Sequence, residues 1–187
     1  QIEYPGYGFQ YMCNIADTAF LGTFQGKQWQ KDYLTGKANV SDTKKMNVTY
    51  EVAPGDFERA GEASSGIKRL LQRIGIPAEV IRRIAIGTYE AEMNVIIHAG
   101  GGVVTAEISP DNTVIIVTDK GPGIADIEQA KQEGWSTAPD YVRQMGFGAG
   151  MGLPNMIKCS DKLDIFSVVN QGTQITMLFN HVDKENK

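Results

Sequence analysis

Between Ile84 and Pro154 three short motifs follow one another in a fixed order, and they restrict this chain more than anything else in it. The first is Glu90-Ala-Glu-Met-Asn94-Val-Ile-Ile-His98, the second Asp119-Lys-Gly121-Pro-Gly123-Ile, the third Gly146-Phe-Gly148-Ala-Gly150-Met151-Gly152-Leu153. In the first, Glu90, Asn94 and His98 stand four apart, so a 3.6-residue helix projects all three from one side. Ile84, Met93, Ile96 and Ile97 flank that polar stripe and can pack. Asn94 offers an amide oxygen to a hard cation such as Mg²⁺, which keeps several waters and takes other ligands from phosphates. One turn away, Glu90 is placed to accept a proton from an attacking hydroxyl or water. A solvated helix face is the plainer reading of the same residues.

Val114-Ile-Ile-Val-Thr118 is a buried-strand pattern that runs into Asp119 and two glycines, where the chain turns and a ligand can approach the backbone. A carboxylate held at a strand end accepts a hydrogen bond from an exocyclic amine, which would select adenine over guanine. An ordinary turn has the same composition. The third motif places glycines 146, 148, 150 and 152 before Leu153-Pro154-Asn155-Met156-Ile157, a flexible loop leading into a helix. Unpaired N–H groups and the positive end of a helix dipole then face an anion, unless the glycines serve only as a hinge. No Lys-Ser or Lys-Thr follows them, and no strand leads tightly into them, so neither the Walker loop nor the dinucleotide fingerprint fits. Taken together, the motifs supply a metal ligand and base, a base-reading carboxylate and a phosphate loop, which describes a nucleotide site.

The ordered set Glu-x-x-x-Asn-x-x-x-His, Asp-x-Gly-x-Gly-Ile and Gly-x-Gly-x-Gly-x-Gly-Leu resembles the Bergerat ATP-binding fold of gyrase-type topoisomerases, Hsp90 chaperones, sensor histidine kinases and MutL. Within that group the chain is most similar to the small bacterial anti-sigma-factor serine/threonine kinases, over about residues 46 to 181. Gly134-Trp-Ser-Thr-Ala and Cys159-Ser-Asp161 lean toward the switch kinases of stress signalling. The resemblance implies that Glu90 activates the attacking hydroxyl, Asn94 holds Mg²⁺ and Asp119 contacts adenine. It further implies that Gly121, Gly123, Gly148, Gly150 and Gly152, with Met151 and Leu153 beside them, line the phosphates of ATP, and that Thr173 supports adenine through water. His98 fits the family pattern, with packing of the helix end as its alternative. Family members commonly carry an arginine beside the last glycines, where this chain has Gly148. The implied partners are a STAS-domain anti-anti-sigma protein as phosphate acceptor, a sigma factor or phosphatase held in alternation, and a second copy in a homodimer.

The expected architecture is an α/β two-layer sandwich, a mixed, mainly antiparallel sheet with helices on one face. From Met46, Asn47 to Val52 alternates as an edge strand, Asp56 can cap a helix reaching about Ile74, and Pro77 opens the next, which stops at Gly100-Gly101-Gly102. Val103 to Ser109 and Thr113 to Thr118 form a hairpin through Pro110-Asp111-Asn112. A helix from about Leu153 to Cys159 leads to strands at Leu163 to Val169 and Thr173 to Phe179, turned by Asn170-Gln-Gly172, and Lys184 to Lys187 is a polar tail. The connection from about 124 to 148 is longer than compact domains usually tolerate and reads as a lid with a short helix at Ile127 to Glu133, broken by Ser136-Thr-Ala-Pro139. Lys131 and Arg143 are its candidates for the γ-phosphate, set against solvated surface.

Residues 1 to 45 differ in character: half of the aromatic residues lie by Tyr33 without sustained periodicity, so this stretch is an extension to a domain at 46 to 187, read as an interaction arm or a fusion. In 187 residues the net charge is −4, which leaves no electrostatic footprint for nucleic acid or an anionic membrane. Two cysteines fit a reducing cytoplasm, and no apolar run approaches the roughly 20 residues of a membrane span.

Overall fold

The computed structural model describes residues 45–182. The aromatic extension, apart from Lys45, and the polar tail lie outside the described residues. Five strands form one sheet: β1 (Met46–Val52), β2 (Gly102–Ile108), β3 (Asn112–Asp119), β4 (Lys162–Val168) and β5 (Gly172–Asn180), in the order β1-β2-β3-β5-β4. Each hydrogen-bonded pair is antiparallel, so no parallel pair occurs among the described residues. The sheet is therefore antiparallel throughout, where a mixed one was expected, and the insertion of β5 is the reason. β3 and β4 run in the same direction and are joined by a long crossover, but β5 inserts between them and pairs antiparallel with both.

Strand alternation assigns the two faces. Val48, Tyr50, Val104, Ala106, Ile115, Val117, Ile175, Met177 and Phe179 point inward and are buried. The helices α1 (Glu62–Arg73), α2 (Ala78–His98) and α5 (Gly152–Cys159) cover that face, with Ile67, Leu70, Leu71, Ile84 and Met156 closing the core. Short helices α3 (Ile127–Ala130) and α4 (Asp140–Gln144) belong to the long connection. α2 lies between α1 and α5 and crosses the sheet closely because it carries Gly87 there. A Cβ at Gly87 would stand 3.1 Å from Phe179 and 3.2 Å from the Met177 sulfur.

α1 begins later than the sequence suggests. Asp56 accepts from the Arg59 N–H, at 3.2 Å, and the chain turns through residues 54–61 before Gly61, at φ 89°, starts the helix. The cap comes from α2. The buried Glu92 carboxylate accepts from Gly61 N and Ala63 N, both at 3.1 Å, and from Ser64 N at 3.2 Å. Three of the donors that a helix start leaves without an intrahelical partner are thereby satisfied by a residue some thirty positions away. Burial pushes the Glu92 carboxyl upward, while the same three N–H groups pull it back.

His181 closes the other end of the sheet. Its Nδ1 lies 3.0 Å from the Pro110 carbonyl, which can only accept, so that nitrogen carries the proton and Nε2, 2.8 Å from Thr113 Oγ1, accepts from the hydroxyl. Burial holds His181 below the ordinary histidine value, and the same cause acts on His98. Above about pH 6.5 neither state of the chain protonates them; below it the unfolded chain takes up protons first, so stability falls on acidification. Each histidine that stays neutral contributes a slope of up to about 1.4 kcal/mol per pH unit. Thermal melts between pH 7.5 and 5.5 should show a falling midpoint, and His181→Gln should flatten that fall. An unchanged slope in the variant would remove His181 as its source; Glu92, whose raised value acts with the opposite sign, is common to both proteins. No described helix is long and apolar enough to cross a membrane.

Candidate functional site

A cavity of about 850 Å³ opens between α2, the long connection and the start of α5, within the range of small-molecule sites. Its wall includes Glu90, Asn94, His98, Asp119, Gly123, Gly148, Gly150, Met151, Gly152, Leu153 and Thr173. The three motifs therefore meet on one cavity, although they are far apart along the chain. Gly121 is not part of the wall; its N–H donates to Asp119 Oδ1 at 2.7 Å and so sets the carboxylate instead.

The helical spacing of Glu90 and Asn94 brings both to the first residue of α5. A Cβ built at Gly152 would lie 3.2 Å from Asn94 Oδ1 and 3.6 Å from Glu90 Oε2. A glycine at this place lets the N-terminus of α5 approach the carboxylate and the amide directly. Met151, the residue before the helix, supplies no side-chain cap, so the first N–H groups of α5 remain available to an anion. Gly148 and Gly150 adopt φ of 71° and 74°, and any Cβ at Gly150 would fall 2.4 Å from the carbonyl carbon of Gly134. Gly134 N in turn donates to Gly150 O at 3.0 Å, which ties the long connection to the glycine loop.

Asp119 Oδ1 also accepts from Thr173 N at 3.3 Å, so that one backbone donor from β5 and one from the turn after β3 hold the carboxylate. Close approach is possible because position 172 is glycine, at φ 117°, where a Cβ would meet the Asp119 carbonyl oxygen at 2.1 Å. Thr173 Oγ1 lies 2.8 Å from Ser167 Oγ, which accepts from Ile124 N at 2.8 Å. Ser167 thus fastens the start of the long connection to the sheet. Its pairing with Thr173 is a matter of β4–β5 register and leaves no mark in local sequence.

The long connection carries one helix that the sequence reading lacked. Pro139 does not break structure there but precedes α4, as proline does at helix starts, and α4 buries Val142 completely. α3 is shorter than expected, ending at Ala130. Phe147 stacks on Phe57 at 5.8 Å between ring centroids, docking the end of the long connection on the turn before α1. His98, the last residue of α2, lines the cavity with its Nδ1 3.5 Å from Thr137 Oγ1 of the long connection.

Neither basic candidate reaches the cavity wall. Lys131 pairs with Glu128 at 2.6 Å, and Arg143 donates to the Ser136 carbonyl at 3.2 Å, so the reading of both as surface residues is the one that the geometry follows. Among the described residues the wall contains Glu90, Asp119 and Asp126 and no lysine or arginine. A triphosphate in this cavity would depend on backbone N–H groups and a bound cation for charge balance. Among the described residues no group of three or more His, Cys, Asp or Glu could hold a metal by itself. Asn155 had no role in the sequence reading. Its Nδ2 donates to Glu90 Oε1 at 2.7 Å, across from α5 to α2.

The family model described as histidine kinase-like ATPase domain matches residues 53–179. The anti-sigma F factor of Pasteuria penetrans is 36% identical over 96 residues, which is 48% of this chain and 61% of that protein, so this chain spans about three-fifths of the length of that relative. The serine/threonine-protein kinase RsbT of Bacillus subtilis (strain 168) is 33% identical over 97 residues, 50% of this chain and 67% of the kinase. The anti-sigma F factor of Clostridium perfringens (strain SM101 / Type A) is 29% identical over 126 residues, 64% of this chain and 86% of the relative. With the three motifs on one cavity of an α/β sandwich and a family model covering most of its length, this chain belongs to the family of histidine kinase-like ATPase domains, whose fold is the Bergerat ATP-binding sandwich.

Proposed function

We propose that this protein binds Mg·ATP and transfers the γ-phosphoryl group to a serine of a STAS-domain antagonist, within a partner switch that also holds a sigma factor or phosphatase. The observation that carries this reading is the convergence of Glu90 Oε2 and Asn94 Oδ1 on Gly152, at the anion-facing start of α5. Relatives named anti-sigma F factor and serine/threonine-protein kinase support the partner class.

Each residue has a step. The glycine loop and the N-terminus of α5 take the phosphates, and Asp119 takes the exocyclic amine of adenine. Bound Mg²⁺, held by Asn94, would neutralise phosphate charge. Glu90 Oε2 accepts the proton of the acceptor hydroxyl as that oxygen bonds to the γ-phosphorus. The bond from the γ-phosphorus to the β-bridging oxygen breaks, and ADP leaves with the electron pair. The lid excludes water from the reacting groups.

A second reading is favoured by one observation, that the described residues bring no lysine or arginine to the cavity wall: ATP orders the lid and gates partner binding without transfer. Mass spectrometry of this protein mixed with Mg·ATP and STAS-domain proteins encoded near it separates the two. A phosphoserine on an acceptor establishes the kinase; ATP binding with no phosphorylated acceptor supports the gate. Under both readings chelation of Mg²⁺ should weaken ATP binding at least tenfold in calorimetry, because three wall carboxylates then face an uncompensated triphosphate. Equal affinity with and without the metal would remove Asn94 as its ligand.

A further inference from the structure

We infer that Asn155 is the positioning residue of the Glu90 carboxylate, an inference that rests on the kinase reading. Glu90 has two oxygens with different surroundings. Oε1 is held by Asn155 Nδ2 at 2.7 Å, and Oε2 faces Gly152. An amide NH₂ only donates, so this contact commits Oε1 and leaves Oε2 as the oxygen that meets the acceptor hydroxyl. A carboxylate free to rotate about its last torsion would present either oxygen, and its terminal torsion is broad and soft. Asn155 removes that freedom.

The position of Asn155 makes the contact more than a local detail. It lies in the first turn of α5, three residues after Gly152, and its N–H is bonded to the Met151 carbonyl at 2.9 Å. The helix that presents N–H groups to phosphate therefore also orients the base. α5 is further tied to α2 by Arg83, whose Nε donates to the Cys159 carbonyl at 2.8 Å, and to the lid by Lys158 and Glu133 at 2.7 Å. A shift of the glycine loop that moves α5 must move the Asn155 amide, and Glu90 Oε1 with it. Base orientation is thus linked to occupation of the phosphate loop.

The test is a double-mutant cycle. Asn155→Ala should lower kcat for phosphoryl transfer about tenfold, with KM for ATP and the thermal midpoint close to wild type. In a Glu90→Gln background Asn155→Ala should cost nothing further, because there is no base left to orient. Losses that multiply, or that track the thermal midpoint, assign Asn155 to packing and overturn the inference. Asn155→Gln, which retains a donor, should recover part of the rate. A readout independent of transfer is the ¹³C resonance of the Glu90 carboxyl, which should move in Asn155→Ala. An unmoved resonance sinks the inference; a moved one with no transfer by wild type upholds the contact and removes the kinase reading instead.

Discussion

Glu90→Gln should lower phosphoryl transfer by about 10²–10⁴-fold, the range that a positioned general base contributes, while ATP affinity and thermal stability stay near wild type. The side chain reaches the cavity from α2, and Oε2 stands beside Gly152, where the phosphate-facing helix starts. Glutamine keeps the acceptor for Asn155 and the shape of the wall, so the loss isolates proton acceptance. Single-turnover transfer to a STAS-domain acceptor, measured with calorimetric ATP affinity, separates chemistry from binding. Transfer within a few-fold of wild type would take the role of base from Glu90.

Glu92→Ala should do the opposite. Two residues further along the same helix, this carboxylate is buried and accepts from Gly61 N, Ala63 N and Ser64 N. Alanine would leave those donors at the start of α1 without a partner, at about 1–3 kcal/mol for a fully buried one, so a total of about 3 kcal/mol is expected. At this chain length the loss corresponds to roughly 10 °C in thermal midpoint. Glu92→Gln retains one accepting oxygen and should fall between alanine and wild type. Cooled until folded, Glu92→Ala should transfer at nearly the wild-type rate. A variant as stable as wild type would mean that α1 is capped by water rather than by Glu92.

The contrast shows which kinds of information lie in the chain. Glu90 and Glu92 are identical as residues, and only Glu90 belongs to a stripe with Asn94 and His98, which helical periodicity exposes. That stripe, the strand running into Asp119 and the glycines before α5 were legible because each is a local pattern with a physical cause. The strands and the hairpin at Pro110-Asp111-Asn112 were legible for the same reason, within a residue or two of their observed ends. The start of α1 was misread because a local rule, capping by Asp56, was applied where a residue on another helix does the work. α4 was missed because Pro139 reads equally as a breaker and as the residue that precedes a helix.

By itself, then, the sequence determined the five strands, the course of α2 and α5, the glycine positions and the chemical types that a nucleotide site needs, since periodicity and backbone sterics act over a few residues. Only the tertiary structure decided that β5 lies between β3 and β4, that Gly172 lets the chain touch Asp119, that Glu92 caps α1 and that Asn155 holds Glu90. Each of those depends on hydrogen bonds or contacts between residues distant in sequence. Such pairings are chosen by the packing of the whole domain, and no local pattern records them.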